Sequence, residues 1–119
     1  MDKQQALYDF WHKATGLEAY EENSIPDNAK LPYCTYQTIV SSLNDPVFPM
    51  GHIWDDGTSY EALDGYLKAF EEYVGLGITK PLDKGYMFIC KGTPFAQRIK
   101  DDVGSKGYLI NIQIEFLSN

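Results

Sequence analysis

Residues 109–116, Leu-Ile-Asn-Ile-Gln-Ile-Glu-Phe, decide the fold class. Ile110, Ile112, Ile114 and Phe116 alternate strictly with Asn111, Gln113 and Glu115. Side chains on a strand alternate between its two faces, so this pattern predicts a strand with one buried and one polar face. Just before it, Asp101-Asp102-Val103-Gly104-Ser105-Lys106-Gly107 is a polar, glycine-containing turn. The strand expected at 95–100 should therefore fold back and pair with the last one. A further strand is expected at 86–91, and a loop or short strand at 77–83.

Upstream, the period changes. Leu63, Leu67, Phe70 and Val74 recur at helical spacing with Tyr66 and Tyr73 beside them, and Gly75 and Gly77 follow. Thr58-Ser59-Tyr60-Glu61 reads as a capping box, in which a hydroxyl accepts an orphan backbone N–H and Glu61 reaches back. Before that helix, 47–55 reads as a strand in which Pro49 and Gly51 predict an edge, bulge or bend. Asn44-Asp45-Pro46 reads as a turn, and 33–41 (YCTYQTIVS) as a strand rich in aromatic and β-branched types. Pro26-Asp27-Asn28 has turn chemistry, and Leu17–Tyr20 is a candidate short strand. At the start, Leu7, Phe10, Trp11 and Ala14 make one apolar stripe on a helix over 4–15, which Gly16 is placed to end.

The order helix, strands, helix, strands lacks a regular βαβ alternation. It predicts one α+β domain over 1–119: a mainly antiparallel β-sheet with two α-helices packed on one face. Phe10, Trp11, Leu67 and Phe70 are expected to bury against Ile110, Ile112 and Ile114. The 119-residue length suits a single modest core.

Composition narrows the function. Ten basic against 17 acidic residues give a net charge of −7, which argues against sequence-independent DNA or RNA binding, because phosphates are neutralised by bases. No apolar run approaches the length of a membrane span, and the first residues have no apolar core of the signal-peptide kind. Synthesis and retention in the cytoplasm are expected, unless an assembly carries the protein elsewhere. Cys34 and Cys90 both sit in apolar, strand-like runs and are expected to be buried free thiols. No C-x-x-C pair exists and His12 and His52 are remote from both, so a zinc site has no support.

Catalytic patterns are missing. The serines lie in no G-x-S-x-G setting, and the glycines form neither a dinucleotide fingerprint nor a phosphate loop. Asp55-Asp56, Glu71-Glu72 and Asp101-Asp102 are adjacent pairs, whose side chains diverge on a strand or helix. His52 and Trp54 share a strand face, where cross-strand packing is the plainer reading than a ligand or a base. The aromatics are more telling. Nine Tyr, six Phe and two Trp exceed what two helices on a small sheet readily bury. Tyr is favoured where one end of the ring is dry and the other wet, as at protein interfaces, although a Tyr-rich sheet face in a monomer would look the same.

Four segments in order, residues 6–36 (ALYDFWHKATGLEAYEENSIPDNAKLPYCTY), 52–63 (HIWDDGTSYEAL), 90–103 (CKGTPFAQRIKDDV) and 108–116 (YLINIQIEF), carry a resemblance spanning nearly the whole chain. They resemble the minor tail or tail-terminator (tail-completion) proteins of siphophages and prophages, GTPFAQR at 92–98 being the most distinctive piece. Cys34 stands where an aliphatic residue follows PY in that pattern, a difference of packing. The resemblance implies a structural protein, without enzymatic activity or cofactor, that caps the head-proximal end of the tail tube as a ring, commonly a hexamer. Its implied partners are further copies of itself, the tail-tube protein and the head-completion or connector protein. Specific nucleic-acid binding and membrane binding are not implied, and the implied location is the virion tail. Two alternatives stand beside it: a head-completion or connector protein, and an acidic inhibitor that mimics DNA. An enzyme with a pocket near His52 is more distant.

A ring at that position must let DNA slide, and an acidic lumen repels phosphates. Asp83, Asp101 and Asp102, in the loops at 79–85 and 101–107, are therefore candidates to face the channel or its rim. Lys80, Lys84 and Lys106 are candidates to pair with neighbouring subunits or the tube. Solvated turns are the plain alternative.

Overall fold

A computed structural model describes residues 1–38, 47–57, 59–101 and 104–117. The elements run α1 (Lys3–Thr15), β1 (Ala19–Glu21), β2 (Tyr33–Tyr36), β3 (Met50–Asp55), α2 (Glu61–Val74), β4 (Ile78–Pro81), β5 (Tyr86–Lys100) and β6 (Lys106–Leu117). The strands form one six-stranded sheet in the order β1-β2-β3-β6-β5-β4. Among the described residues only β1 and β2 pair in parallel. The fold is α+β, and both helices pack on one face of the sheet. Among the described residues no helix is long and apolar enough to cross a membrane.

Helix α1 begins at a reciprocal cap. The Asp2 carboxylate accepts from the Gln5 backbone N–H at 2.8 Å, and the Asp2 N–H donates to Gln5 Oε1 at 3.1 Å. Gly16 ends it in the left-handed conformation (φ 73°), and its N–H donates to the His12 carbonyl. The expected box before α2 is not what starts that helix. Tyr60 occupies the N-cap with no side-chain cap bond, so Glu61 is the first helical residue and cannot reach back from the third. Ser59 Oγ does accept the Glu61 N–H, at 3.3 Å. Thr58 lies outside the described residues.

Helices and sheet share one core. Phe10, Trp11, Leu63 and Phe70 are buried with Ile53, Met87, Ile89, Ile110, Ile112, Ile114 and Phe116. The expected Leu67 is only partly buried, and Leu63, one turn earlier on the same stripe, takes the central place. Phe70 sits among Phe10, Trp11 and Phe95, at ring-centroid distances of 5.6, 5.4 and 5.8 Å. Bare backbone at Gly51 admits the Trp11 ring, since a Cβ there would overlap the indole.

Three sequence expectations change in the sheet. The strands expected at 86–91 and 95–100 are one strand, β5, interrupted by a register shift between Lys91 and Ala96. From Lys91 to Ala96 the chain advances five positions while β6 advances two, from Ile112 to Ile110, so three residues are extra. The strand expected at 47–55 begins only at Met50, although Val47 bridges Ile114. The strand expected at 33–41 ends at Tyr36; its last three residues and the turn at Asn44-Asp45-Pro46 lie outside the described residues.

Candidate assembly surfaces

The loop residues singled out by charge fall into two groups at opposite ends of the molecule. Fifteen residues of β5 separate the turn after β4 from the turn before β6. Three of these are the extra residues at the register shift, and β6 covers the same ladder in twelve, about 36 Å at about 3.3 Å per residue, most of the longest dimension of 47 Å. Lys80, Asp83 and Lys84 lie at or beside the first end, Asp101 and Lys106 at the second. No single patch of the molecule holds both groups. Asp102 lies outside the described residues.

Their partners differ as well. Lys80 is turned inward from β4, and its Nζ lies 2.6 Å from Asp9 Oδ2 of α1. Burial pulls the Lys80 ammonium down, but its bonds to Asp9 and Tyr73 outweigh that and leave it raised. Asp9 is held below the usual carboxylate range by the Lys80 hydrogen bond, with burial opposing and Lys13 helping. The Asp83 carboxylate, though exposed, accepts from the Met1 amino group at 2.6 Å. Lys84 is exposed. The Asp101 carboxylate accepts the Ser105 N–H at 2.7 Å, which shapes the hairpin turn. Lys106 stands 5.7 Å from the Tyr60 ring. The expectation that the lysines serve neighbours therefore meets an internal partner at Lys80.

A cluster that no sequence pattern signals lies beside that hairpin. Arg98 of β5 faces Tyr108 of β6 in register. Its Nε donates to the Tyr108 hydroxyl at 3.1 Å, and its Nη2 lies 3.5 Å from Asp64 Oδ2 of α2. The Tyr108 hydroxyl donates to Asp64, and the guanidinium lies 4.3 Å from the Tyr60 ring centre. Burial first, then the bond to Asp64, pushes the Tyr108 phenol up. The bond to Tyr108 raises Arg98. The spacing of Asp64, Arg98 and Tyr108 along the chain holds no hint of this; only the β5–β6 register and the seat of α2 bring them together.

The outer face of the sheet, away from both helices, is set by the same registers. It presents Tyr20, Tyr33, Met50, His52, Trp54, Phe88, Cys90, Gln97, Ile99, Leu109, Asn111, Gln113 and Glu115, with Thr35 on the same side but buried. Of these only Glu115 carries a formal charge. Trp54 lies over Gly107, where a Cβ would crowd its ring, and stacks on His52 at 5.7 Å. Burial lowers His52, with Glu22 opposing. Cys90 on this face is only half-buried, against expectation, because the parity of β5 turns it away from the core. Cys34 points inward and is buried as expected, and its burial pushes the thiol far up.

A cleft of about 400 Å³ between α1 and the β1 side is lined by Gln4, Leu7, Glu21, Ser24, Tyr36 and Thr38. Its Glu21 carboxylate is already engaged, accepting from the Asn23 N–H and Nδ2 at 2.9 and 3.1 Å. Among the described residues no group of three or more His, Cys, Asp or Glu could hold a metal ion. Set against known protein families, curated proteins and solved structures, the chain matches none of them.

Proposed function

We propose that the protein is a structural ring subunit that caps the head-proximal end of a phage tail tube and joins it to the head connector. The outer sheet face carries this reading. A solvated face would be expected to hold charges, yet in a chain with 27 charged residues (17 acidic, ten basic) this one holds a single carboxylate, and the neutral Gln97, Asn111 and Gln113 stand among Tyr20, Tyr33, Trp54 and Phe88. Loss of charge with gain of aromatics is the composition of an interface core. The ordered resemblance across the chain supplies the kind of assembly.

In such a ring, β5 running along the axis would set the turn at 82–85 at one mouth and the turn at 101–105 at the other. Asp83 and Asp101 would then rim opposite openings. The acidic-inhibitor alternative is weakened by the carboxylates of Asp9, Asp64 and Glu71, each spent on a cation of the same chain. A head-completion protein would bind the portal side instead.

Electron microscopy of the purified protein, alone and mixed with tail-tube protein, tests the reading. Rings that sit on tube ends are expected. Tube ends left bare at every protein ratio would exclude it, and binding to portal rather than tube would favour the connector alternative. Charge reversal at Asp83 and Asp101 should slow DNA release from assembled particles; unchanged release would remove both from the channel mouths.

A further inference from the structure

The sheet has two unlike edges. On one side, β4 pairs β5 only from Tyr86 to Ile89, so that among the described residues β5 runs on to Lys100 with no strand on that side. Its ladder with β6 resumes at Ala96 and continues to Lys100, leaving a regular strand edge over 96–100. Residues 91–100 include Lys91, Arg98 and Lys100 and no acid. On the other side the edge strand is β1. Residues 18–28 there include Glu18, Glu21, Glu22 and Asp27 and no base. Opposite edges of one sheet thus carry opposite charge in a chain that is acidic as a whole.

We infer that the open edge of β5 receives the acidic β1 edge of a second copy, head to tail, with Arg98 at the centre of the contact. This deepens the ring reading and rests on it. An exposed strand edge is a template for pairing, and its flanking charges decide what may approach. Two β5 edges cannot meet well: antiparallel pairing centred on 96–100 sets Arg98 opposite Arg98 of the second copy, and like charges directly opposite are destabilising. Glu18 and Glu22 are exposed on the far edge and offer the complementary sign.

Arg98 is built as an anchor. Tyr60 supports its guanidinium face at 4.3 Å, while Tyr108 and Asp64 hold its Nε and Nη2. Its side chain is still 58 % exposed. An arginine fixed against tyrosine and still open to a partner has the composition of an interface hot spot. Asp64 and Glu71 of α2 partly offset Arg98 and Lys91, whereas Lys100, exposed at the end of the strand, extends the positive edge.

An interface that uses two different surfaces propagates, and it closes into a ring when the rotation per copy allows. Heterologous pairing has a signature in mixing. One variant, Gln97→Glu with Lys100→Glu, spoils the β5 edge and leaves the Arg98 network intact; Arg98→Glu is the stronger form. A second variant, Glu18→Lys with Glu22→Lys, spoils the β1 edge. Each keeps one good edge. At low salt and high concentration, light scattering should find the wild type in oligomers, each variant alone as a monomer, and the 1:1 mixture re-associated, because each variant keeps the edge that the other has lost and their reversed edges are opposite in charge. Circular dichroism checks that each variant is folded. Wild-type oligomers that persist in both variants, or a mixture that stays monomeric, would overturn the edge contact while leaving a ring by other surfaces standing. A wild type that is monomeric throughout and does not cap tubes would remove both.

Discussion

Lys80 Nζ and Asp9 Oδ2 lie 2.6 Å apart, with side chains only 13 % and 18 % exposed, and this pair ties the edge strand β4 to the first helix. Asp9→Asn should cost about 1.5–3 kcal/mol in urea unfolding, the range for a hydrogen bond to a charged group. Asp9 is depressed in the folded state. Its contribution is therefore full above the unfolded carboxylate value of about 4 and fades as pH falls through the lower folded value. Wild type should lose stability on acidification below about pH 4, and Asp9→Asn should lose less over that window. Parallel pH profiles for the two proteins would contradict the pair's role.

Phe70 is fully buried against Phe10, Trp11 and Phe95. Phe70→Ala should cost about 3–5 kcal/mol, because the void opens where helix, helix and sheet meet. Leu67→Ala, one turn away and only partly buried, should cost less. Equal midpoints for the two variants in chemical denaturation would contradict this seating of α2.

The thiols should separate cleanly. Cys90 on the outer face is expected to react with a disulfide reagent in native protein, and Cys34 only on unfolding, because burial blocks access and raises its pKa. Cys90→Ser should abolish the fast phase. Two fast thiols, or none, would mean that the parity of β2 or β5 is misassigned.

Gly51→Ala would press a methyl group into the Trp11 ring. Overpacking of this kind typically costs about 1–3 kcal/mol. A change in tryptophan emission should accompany it, since Trp11 must tilt away from Tyr36, on which it now stacks at 6.3 Å. Unchanged emission and stability would argue that the indole lies elsewhere.

The elements with a single strong period were legible in the chain. β6 announces itself by alternation, and both helices by their stripes, because burial on one face leaves a regular trace. The misses are places where two signals competed. Tyr60 stands two positions beyond the expected cap, its hydroxyl donating to the Ile99 carbonyl at 3.0 Å across the fold. Asp2 and Gln5 form a reciprocal cap with Asp, not Ser or Thr, at its head and Gln, not Glu, at its third position, a weaker signal in the chain. Cys90 sits in an apolar run, yet parity and not neighbourhood decides its face. The Arg98 cluster joins residues 64, 98 and 108, and only three-dimensional register could unite them.

The three extra residues between Lys91 and Ala96 set the phase of everything that follows in β5. Before them, Met87, Ile89 and Lys91 share the core side; after them it is Ala96, Arg98 and Lys100. An odd count inverts the alternation, so length in this short stretch works like a reading frame. Removing one residue from 92–95 would turn Arg98 over to the Trp54 side and bring Gln97 and Ile99 beneath the helices. Removing two would keep each side chain on its present face and merely tighten the bend. Variation in this stretch should therefore be tolerated in steps of two, while a single-residue change would exchange the two surfaces of the strand at one stroke.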